Sequence, residues 1–250
     1  MKWYLKEALL LAGMTLKNPN KKEENNMAFH TAKDPRTVLE NRQALAQSLG
    51  IPLTSFVFAQ QTHSDHFYEV KKEDQGRGAL EETTAIPDTD ALYTKEKNLV
   101  LTVCTADCVP VFFYNERAKI IGIIHSGWSG TVKEITPKTL DYIRQKEAVR
   151  MEDFSIVIGS ALCQEHFEVD RDVYELFSSL GYADPFITYK AKRKKFHIDN
   201  QQVIKEQCRR IGILEEKIQI DTSCTFSSPT GFSYRQDRQA GRHLSFIVQR

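Results

Sequence analysis

Three nearly uninterrupted apolar runs, Leu99–Val103, Val111–Tyr114 and Ile120–Ile124, follow one another closely near the middle of the chain. A strand with one face in water alternates apolar and polar residues. Runs without that alternation predict strands covered on both faces. Around them strands and helices mix irregularly, with no internal repeat and no linker long enough to require two domains. The pattern predicts a mixed α/β (α+β) fold, a single domain over residues 1–250 with a mixed central sheet region flanked by helices.

Further elements follow from local signals. Ala8–Met14 reads as a strand rather than a leader, because it is short, follows Trp3, Tyr4 and Glu7, and lacks a small-residue cleavage site. Lys17–Asn26 and Lys71–Thr84 read as loops. Asp34-Pro35 predicts a helix start, with an N-cap acceptor before proline at the first helical position, and Gly50 and Pro52 predict its end. Val38, Arg42, Leu45 and Leu49 then share one helix face, where an arginine requires an acidic or anionic partner, or must snorkel. Ser55–Ala59, Ser155–Ile158, Ile218–Ile220 and Leu244–Val248 read as strands. Asp172–Leu180 and Asn200–Ile211 read as helices, stopped by Gly181 and Gly212. Another helix is expected from about Thr131, with a kink at Pro137.

Charge and composition narrow the function classes. The 34 Lys and Arg residues nearly balance 33 Asp and Glu, which gives no electrostatic reason to expect nucleic acid or a membrane as partner. No apolar run approaches the length of a membrane span. Five cysteines are too few for a disulfide framework in a chain of this length and fit a reducing cytoplasm. The seven histidines fall short of the ligand set of a multicopper oxidase, although a single metal ion remains within reach. Nucleotide-binding glycine motifs, a G-x-S-x-G elbow and H-E-x-x-H are all absent.

His63, Cys108 and His125 stand out because each lies at or just past the end of an expected strand, where functional groups of mixed sheets gather. Two imidazoles and a thiolate suit Zn²⁺ with one position left for water or substrate, and such a centre ionises water near neutral pH. The same spacing is met by two hydrogen-bonded histidines and a buried thiol. His66 is expected at the surface, and Cys104 and Cys208 in the core. Asp90 and Asp107 are candidates to fix a ligating histidine, Asp90 being equally compatible with a turn. The turn His125–Gly130, with Gly127, allows close backbone approach at a helix start and could hold an anion. Arg235, Arg238 and Arg242 could hold phosphate or form a solvated face. Cys108 with His125 as base would also serve a metal-free cysteine hydrolase.

Taken together, QTHSD (61–65), TDALYT (89–94), TVCTADCVPVFFY (102–114), IIHSGWSG (123–130), IGSALCQEHFEV (158–169), CT (224–225) and FSYRQDRQAGR (232–242) resemble the laccase-domain (YfiH/YlmD-type) family, with GMT (13–15) and ENR (40–42) matching its opening part. The resemblance implies a zinc-dependent purine nucleoside phosphorylase acting on adenosine, inosine and S-methyl-5'-thioadenosine, with adenosine deaminase activity. It implies one Zn²⁺ per chain on His63, Cys108 and His125, with copper and the older polyphenol oxidase label ranked lower. The expected partners are purine nucleosides and phosphate, with no expectation about oligomeric state. Arg42, Gly127 and Arg235 are the candidates for phosphate, and Asp65 or Asp107 for the acid in deamination. Two departures stand out: Ser129 replaces the arginine of the family's HAGWRG, and Leu16-Lys17 stands where an arginine follows the early G-F-T. The loss at Ser129 also fits a non-enzymatic protein with a decayed site.

Overall fold

The computed structural model of the protein describes residues 1–250. In chain order its elements are β1 (Lys2–Lys6), β2 (Leu10–Met14), α1 (Pro35–Leu49), β3 (Phe56–Val57), β4 (Phe67–Glu69), β5 (Ala91–Thr94), β6 (Val100–Thr105), β7 (Val109–Asn115), β8 (Ile120–Ser126), α2 (Trp128–Val132), α3 (Ile135–Glu147), β9 (Ser155–Ile158), β10 (Glu168–Val169), α4 (Arg171–Ser178), β11 (Ile187–Lys190), β12 (Lys195–Ile198), α5 (Asn200–Arg210), β13 (Ile218–Ile220) and β14 (His243–Gln249). Strands β1-β2-β14-β6-β3 form one mixed sheet and β13-β9-β7-β8-β5-β4 a second, while β10-β12-β11 make a small antiparallel sheet. No helix is long and apolar enough to cross a membrane.

The apolar runs are covered on both faces because the two large sheets stack on each other and each carries helices on its outer side. Leu101 and Val103 of β6 meet Phe112 of β7 and Ile121 and Ile123 of β8 between the sheets. Val111, Phe113, Ile120 and Ile124 point the other way, to Leu140 and Ile143 of α3 and Ile204 and Cys208 of α5. On the far side of the five-stranded sheet, Leu45 and Leu49 of α1 pack on Phe56, Leu244 and Phe246. The layers therefore run helix, sheet, sheet, helix. Where β7 and β8 pair, Phe113 lies opposite Gly122, and a Cβ there would come within 2.0 Å of the Phe113 ring.

Helix α1 starts as its caps predict, with the Asp34 side chain accepting from the Arg36 N–H and Gly50 in the left-handed region at φ 64°. The expected kink at Pro137 falls earlier. α2 ends at Val132, Glu134 takes φ 60°, and Pro137 sits in the first turn of α3. A proline ring clashes with the carbonyl four residues back and donates no hydrogen bond, so the break moves toward Lys133 and Pro137 itself is accommodated. The strand expected at Ser55–Ala59 shortens to Phe56–Val57, with Ala59 in a single bridge to Ile86. Strand β1 and the three-stranded sheet have no counterpart in the apolar pattern.

Candidate metal centre and its two clefts

His63 lies in the loop after β3, Cys108 in the tight turn between β6 and β7, and His125 near the end of β8. Pairing of β7 with β8 sets Pro110 opposite His125, which brings the Cys108 turn beside it. The ligand atoms of the three residues lie within 4.8 Å of one another. Cys108 Sγ is 3.7 Å from His63 Nε2, and the two imidazoles meet edge to face with centroids 4.8 Å apart.

Asp90 organises this group. His125 Nδ1 donates to its Oδ1 at 2.7 Å, which fixes the tautomer and leaves Nε2 for the centre. The same carboxylate accepts from the backbone N–H groups of Thr62, His63 and Ser64 and from Ser64 Oγ. His63 has φ 59°, and that left-handed turn is held from the other side by Ser129 Oγ and Lys133 Nζ, which donate to its carbonyl at 3.0 and 2.9 Å. The contacts of Ser64, Ser129 and Lys133 do not follow from the motifs, because they depend on the fold of the 62–64 loop. Ser129, at the position of the family's arginine, thus supports a proposed ligand.

Burial pushes the Cys108 thiol up, but His125 and His63 outweigh it and bring it to about 6. Burial likewise opposes protonation of His125, yet Cys108 and Asp90 raise it to about 9. Burial also raises the Asp90 carboxyl, but His125 and Ser64 outweigh it and hold it at about 2. The group therefore favours a thiolate beside donors that a cation can replace. The donor set, two imidazole nitrogens and one sulfur, fits Zn²⁺. Gly127 fits it too: a Cβ there would stand 2.8 Å from His63 Cδ2 and 2.9 Å from Cys108 Sγ.

Two clefts of 580 and 560 Å³ meet at this group, sharing His63, Ala106, Cys108 and Tyr234 as walls. His125, Arg42, Arg242, Gln61 and Cys104 line the first; Trp128, Phe167, Asn200, Arg235 and Arg238 line the second. Cys104 thus borders a cleft rather than lying wholly in the core. Cys208 is fully buried and His66 is at the surface, bonded to Asp88.

Several expectations change. Arg42 has no acidic partner. Its guanidinium lies between the Phe29 and Phe58 rings and donates to the carbonyls of Met27, Gly78 and Ala79, and burial lowers it to about 10. Arg235 walls the other cleft, so the two arginines do not converge on one anion. The C-terminal arginines divide in the same way, Arg242 going to the first cleft and Arg235 and Arg238 to the second. Asp107 fixes no histidine. Its carboxylate accepts from Thr225 Oγ1, Ser233 Oγ and the Arg235 N–H, tying the C-terminal loop to the Cys108 turn. Asp65 is paired with Lys138 of α3, which holds its carboxyl below the usual range, and it lines neither cleft. Gly127 makes room for two side chains, while the five-residue α2 it precedes is too short to build an anion site.

Residues 15–250 match the family model described as multi-copper polyphenol oxidoreductase laccase. Purine nucleoside phosphorylase YlmD of Bacillus subtilis (strain 168) is 33% identical over 95% of this chain and 88% of that protein, and its Geobacillus stearothermophilus counterpart is 32% identical over 96% and 90%. The crystal structure of the Bacillus licheniformis hypothetical protein YfiH superposes with TM-score 0.92 at 30% identity, covering 99% of both chains. The structure of YlmD from Geobacillus stearothermophilus also gives 0.92 at 30% identity, covering 97% of this chain and 93% of that one. With sequence and fold matched along nearly the whole length, the chain belongs to the YfiH/YlmD-type laccase-domain family.

Proposed function

We propose that this protein is a zinc-dependent purine nucleoside phosphorylase acting on adenosine, inosine and S-methyl-5'-thioadenosine, with adenosine deamination as a second activity of the same site. The observation that carries this reading is the junction of two differently equipped clefts at His63, Cys108 and His125. The relatives' names supply the reaction class. Zn²⁺ held by the three residues would supply Lewis acidity at the junction. A multicopper assembly ranks lower, since this group offers two histidines and one cysteine, fewer donors than such an assembly uses.

In the first cleft Arg42 and Arg242 both lose hydration to burial, and neither is bonded to a carboxylate. Against the one carboxylate of this wall, Glu82, the two cations leave a positive excess that favours an anion, and we assign phosphate there. The aromatic walls Trp128, Phe167 and Tyr234 of the second cleft, with Asn200, suit the flat purine. The ribose then lies across the junction. A phosphate oxygen forms a bond to C1′ as the bond from C1′ to the base nitrogen breaks, and a proton ends on the purine. The side chains contribute by positioning both reactants and by stabilising charge around the sugar. Residues 1–250 act as one domain in this reading, with β14 lying between β2 and β6 in the interior of the five-stranded sheet. The five free cysteines fit a cytoplasmic setting.

Phosphate kinetics test the cleft assignment. Arg42→Lys raises the KM for phosphate by about tenfold or more, because a point charge cannot replace the planar fork, and leaves the KM for nucleoside within about twofold; Arg235→Ala does the reverse. Equal effects on both substrates from each variant contradict the assignment.

A second reading rests on the Cys108 and His125 pair, which at about 6 and 9 is thiolate and imidazolium at neutral pH, as in a cysteine hydrolase. It requires activity that survives chelators and is lost to iodoacetamide at Cys108. Stoichiometric zinc bound through Cys108 removes it.

A further inference from the structure

Three residues that play no part in the proposed reaction, and that line neither cleft, come together behind the wall of the second. Cys163 and His166 follow β9 in a tight turn, in which the N–H groups of His166 and Phe167 donate to the Cys163 carbonyl. Cys224 lies in the loop after β13 and pairs with Ala161 through a single parallel bridge. The fold thus closes a Cys-x-x-His turn against a distant cysteine. Cys163 Sγ lies 3.2 Å and Cys224 Sγ 3.7 Å from His166 Nδ1, and all three ligand atoms lie within 4.8 Å of one another.

We propose that Cys163, His166 and Cys224 form a second metal site, which takes Zn²⁺ in a tetrahedral Cys₂His arrangement completed by a solvent ligand. With Zn–S of about 2.3 Å and Zn–N of about 2.0–2.1 Å, sulfur and nitrogen on adjacent tetrahedral corners stand about 3.5 Å apart. The two separations observed bracket that value, so the ligands close on the ion with only small side-chain shifts. Local support is already in place. The Cys163 N–H donates to Cys224 Sγ at 3.3 Å, a contact that favours the thiolate form a metal requires. The His166 ring is stacked on Phe226 at 4.1 Å, which fixes its plane. None of the three is fully buried, so the ion has a route in.

The consequence reaches the first centre. Leu162, next to Cys163, donates its N–H to the Asp107 carbonyl, and Thr225, next to Cys224, donates its hydroxyl to the Asp107 carboxylate. Asp107 itself has φ 86° and immediately precedes Cys108. A metal joining Cys163 to Cys224 therefore clamps the two loops that hold the strained residue behind Cys108. This site stands whether or not the phosphorolysis reading holds, since it shares no ligand with His63, Cys108 and His125.

The test uses the full chain purified under reducing conditions, stripped of metal and titrated with Co²⁺ as a spectroscopic probe, then with Zn²⁺. In a Cys108→Ser background, which removes the first centre's only thiolate, Co²⁺ gives a thiolate charge-transfer band and tetrahedral visible bands at one ion per chain, both erased by Zn²⁺. Adding Cys163→Ser and Cys224→Ser abolishes the charge-transfer band, and His166→Gln alone weakens binding by at least tenfold with near-UV circular dichroism retained. Independently of Cys108, the Cys163→Ser/Cys224→Ser protein carries one zinc fewer per chain than wild type. Absence of the band, its survival in the triple variant, or a mass showing a Cys163–Cys224 disulfide in the reduced preparation overturns the proposal.

Discussion

Asp90 bears on the proposed centre more than any residue outside the triad, because one carboxylate fixes both the His125 ring and the loop carrying His63. Asp90→Asn keeps the shape but puts a donor where several N–H groups point. It is expected to lower zinc affinity by about 10–100-fold, measured by competition with a chromophoric chelator; unchanged affinity would mean that Asp90 only shapes the loop. Gly127→Ala tests close approach instead. Its φ of −67° suits alanine, so the fold holds, but the new Cβ meets both His63 and Cys108. The expected result is a loss of kcat/KM of about 100-fold with little change in Tm. A Tm that falls with activity would point to damage beyond the centre. At this scale the grouping of three residues was legible, but the placing of the arginines and of Asp107 was not. His63, Cys108 and His125 stand at the ends of apolar runs, and the fold brings them together. Of the two aspartates expected to fix a ligating histidine, Asp90 does so, whereas Asp107 turns to the C-terminal loop, because its direction depends on a left-handed turn and on residues more than a hundred positions away.

Among the elements, the segments that join the two sheets carry the clearest predictions. Asp107 ties the β6–β7 turn to Thr225, Ser233 and Arg235, so Asp107→Ala is expected to destabilise the protein by about 2–3 kcal/mol, the scale of lost hydrogen bonds to a charged acceptor. It should also raise the KM for nucleoside. Urea denaturation and initial rates check both, and a stability change without a KM change would detach the loop from the second cleft. At the start of β14, His243 is buried with Nδ1 donating to the Thr15 carbonyl and Nε2 accepting from the Phe232 N–H, each at 2.7 Å. Both nitrogens are satisfied only in the neutral ring, and burial lowers its pKa to about 4. The unfolded chain binds this proton below about 6.5, the folded one only below about 4. The stabilisation is therefore full above about 6.5 and is lost as pH falls through that window, by about 3 kcal/mol at most. Denaturation at pH 7 and pH 5 should show the slope in wild type and its loss in His243→Gln; equal slopes would refute the assignment. Element boundaries were legible where caps act locally, as at Asp34 and Gly50. The kink expected at Pro137 lies at Glu134 instead, because a proline's steric effect falls on the preceding turn.

For the whole molecule, the stacking of two sheets inside two helical layers explains why the central runs read as apolar throughout. The class of fold was therefore legible, but the number of sheets was not. β1 lies at a sheet edge with mostly half-exposed residues, and β10, β11 and β12 carry Glu168, Lys190 and Lys195 among their apolar positions. Edge and surface strands need no continuous apolar run, so their pairing is set by tertiary contacts. The same layering brings three strand-end residues to one junction, where we propose metal-supported phosphorolysis. The most direct measurement is product analysis of adenosine incubated with the zinc-loaded protein, with and without phosphate, beside Cys108→Ser. The expected products are adenine and ribose 1-phosphate, whose formation requires both phosphate and Cys108. Inosine formed regardless of phosphate would make deamination the main activity, and no turnover of any purine nucleoside by the zinc-loaded wild type would refute phosphorolysis at this centre.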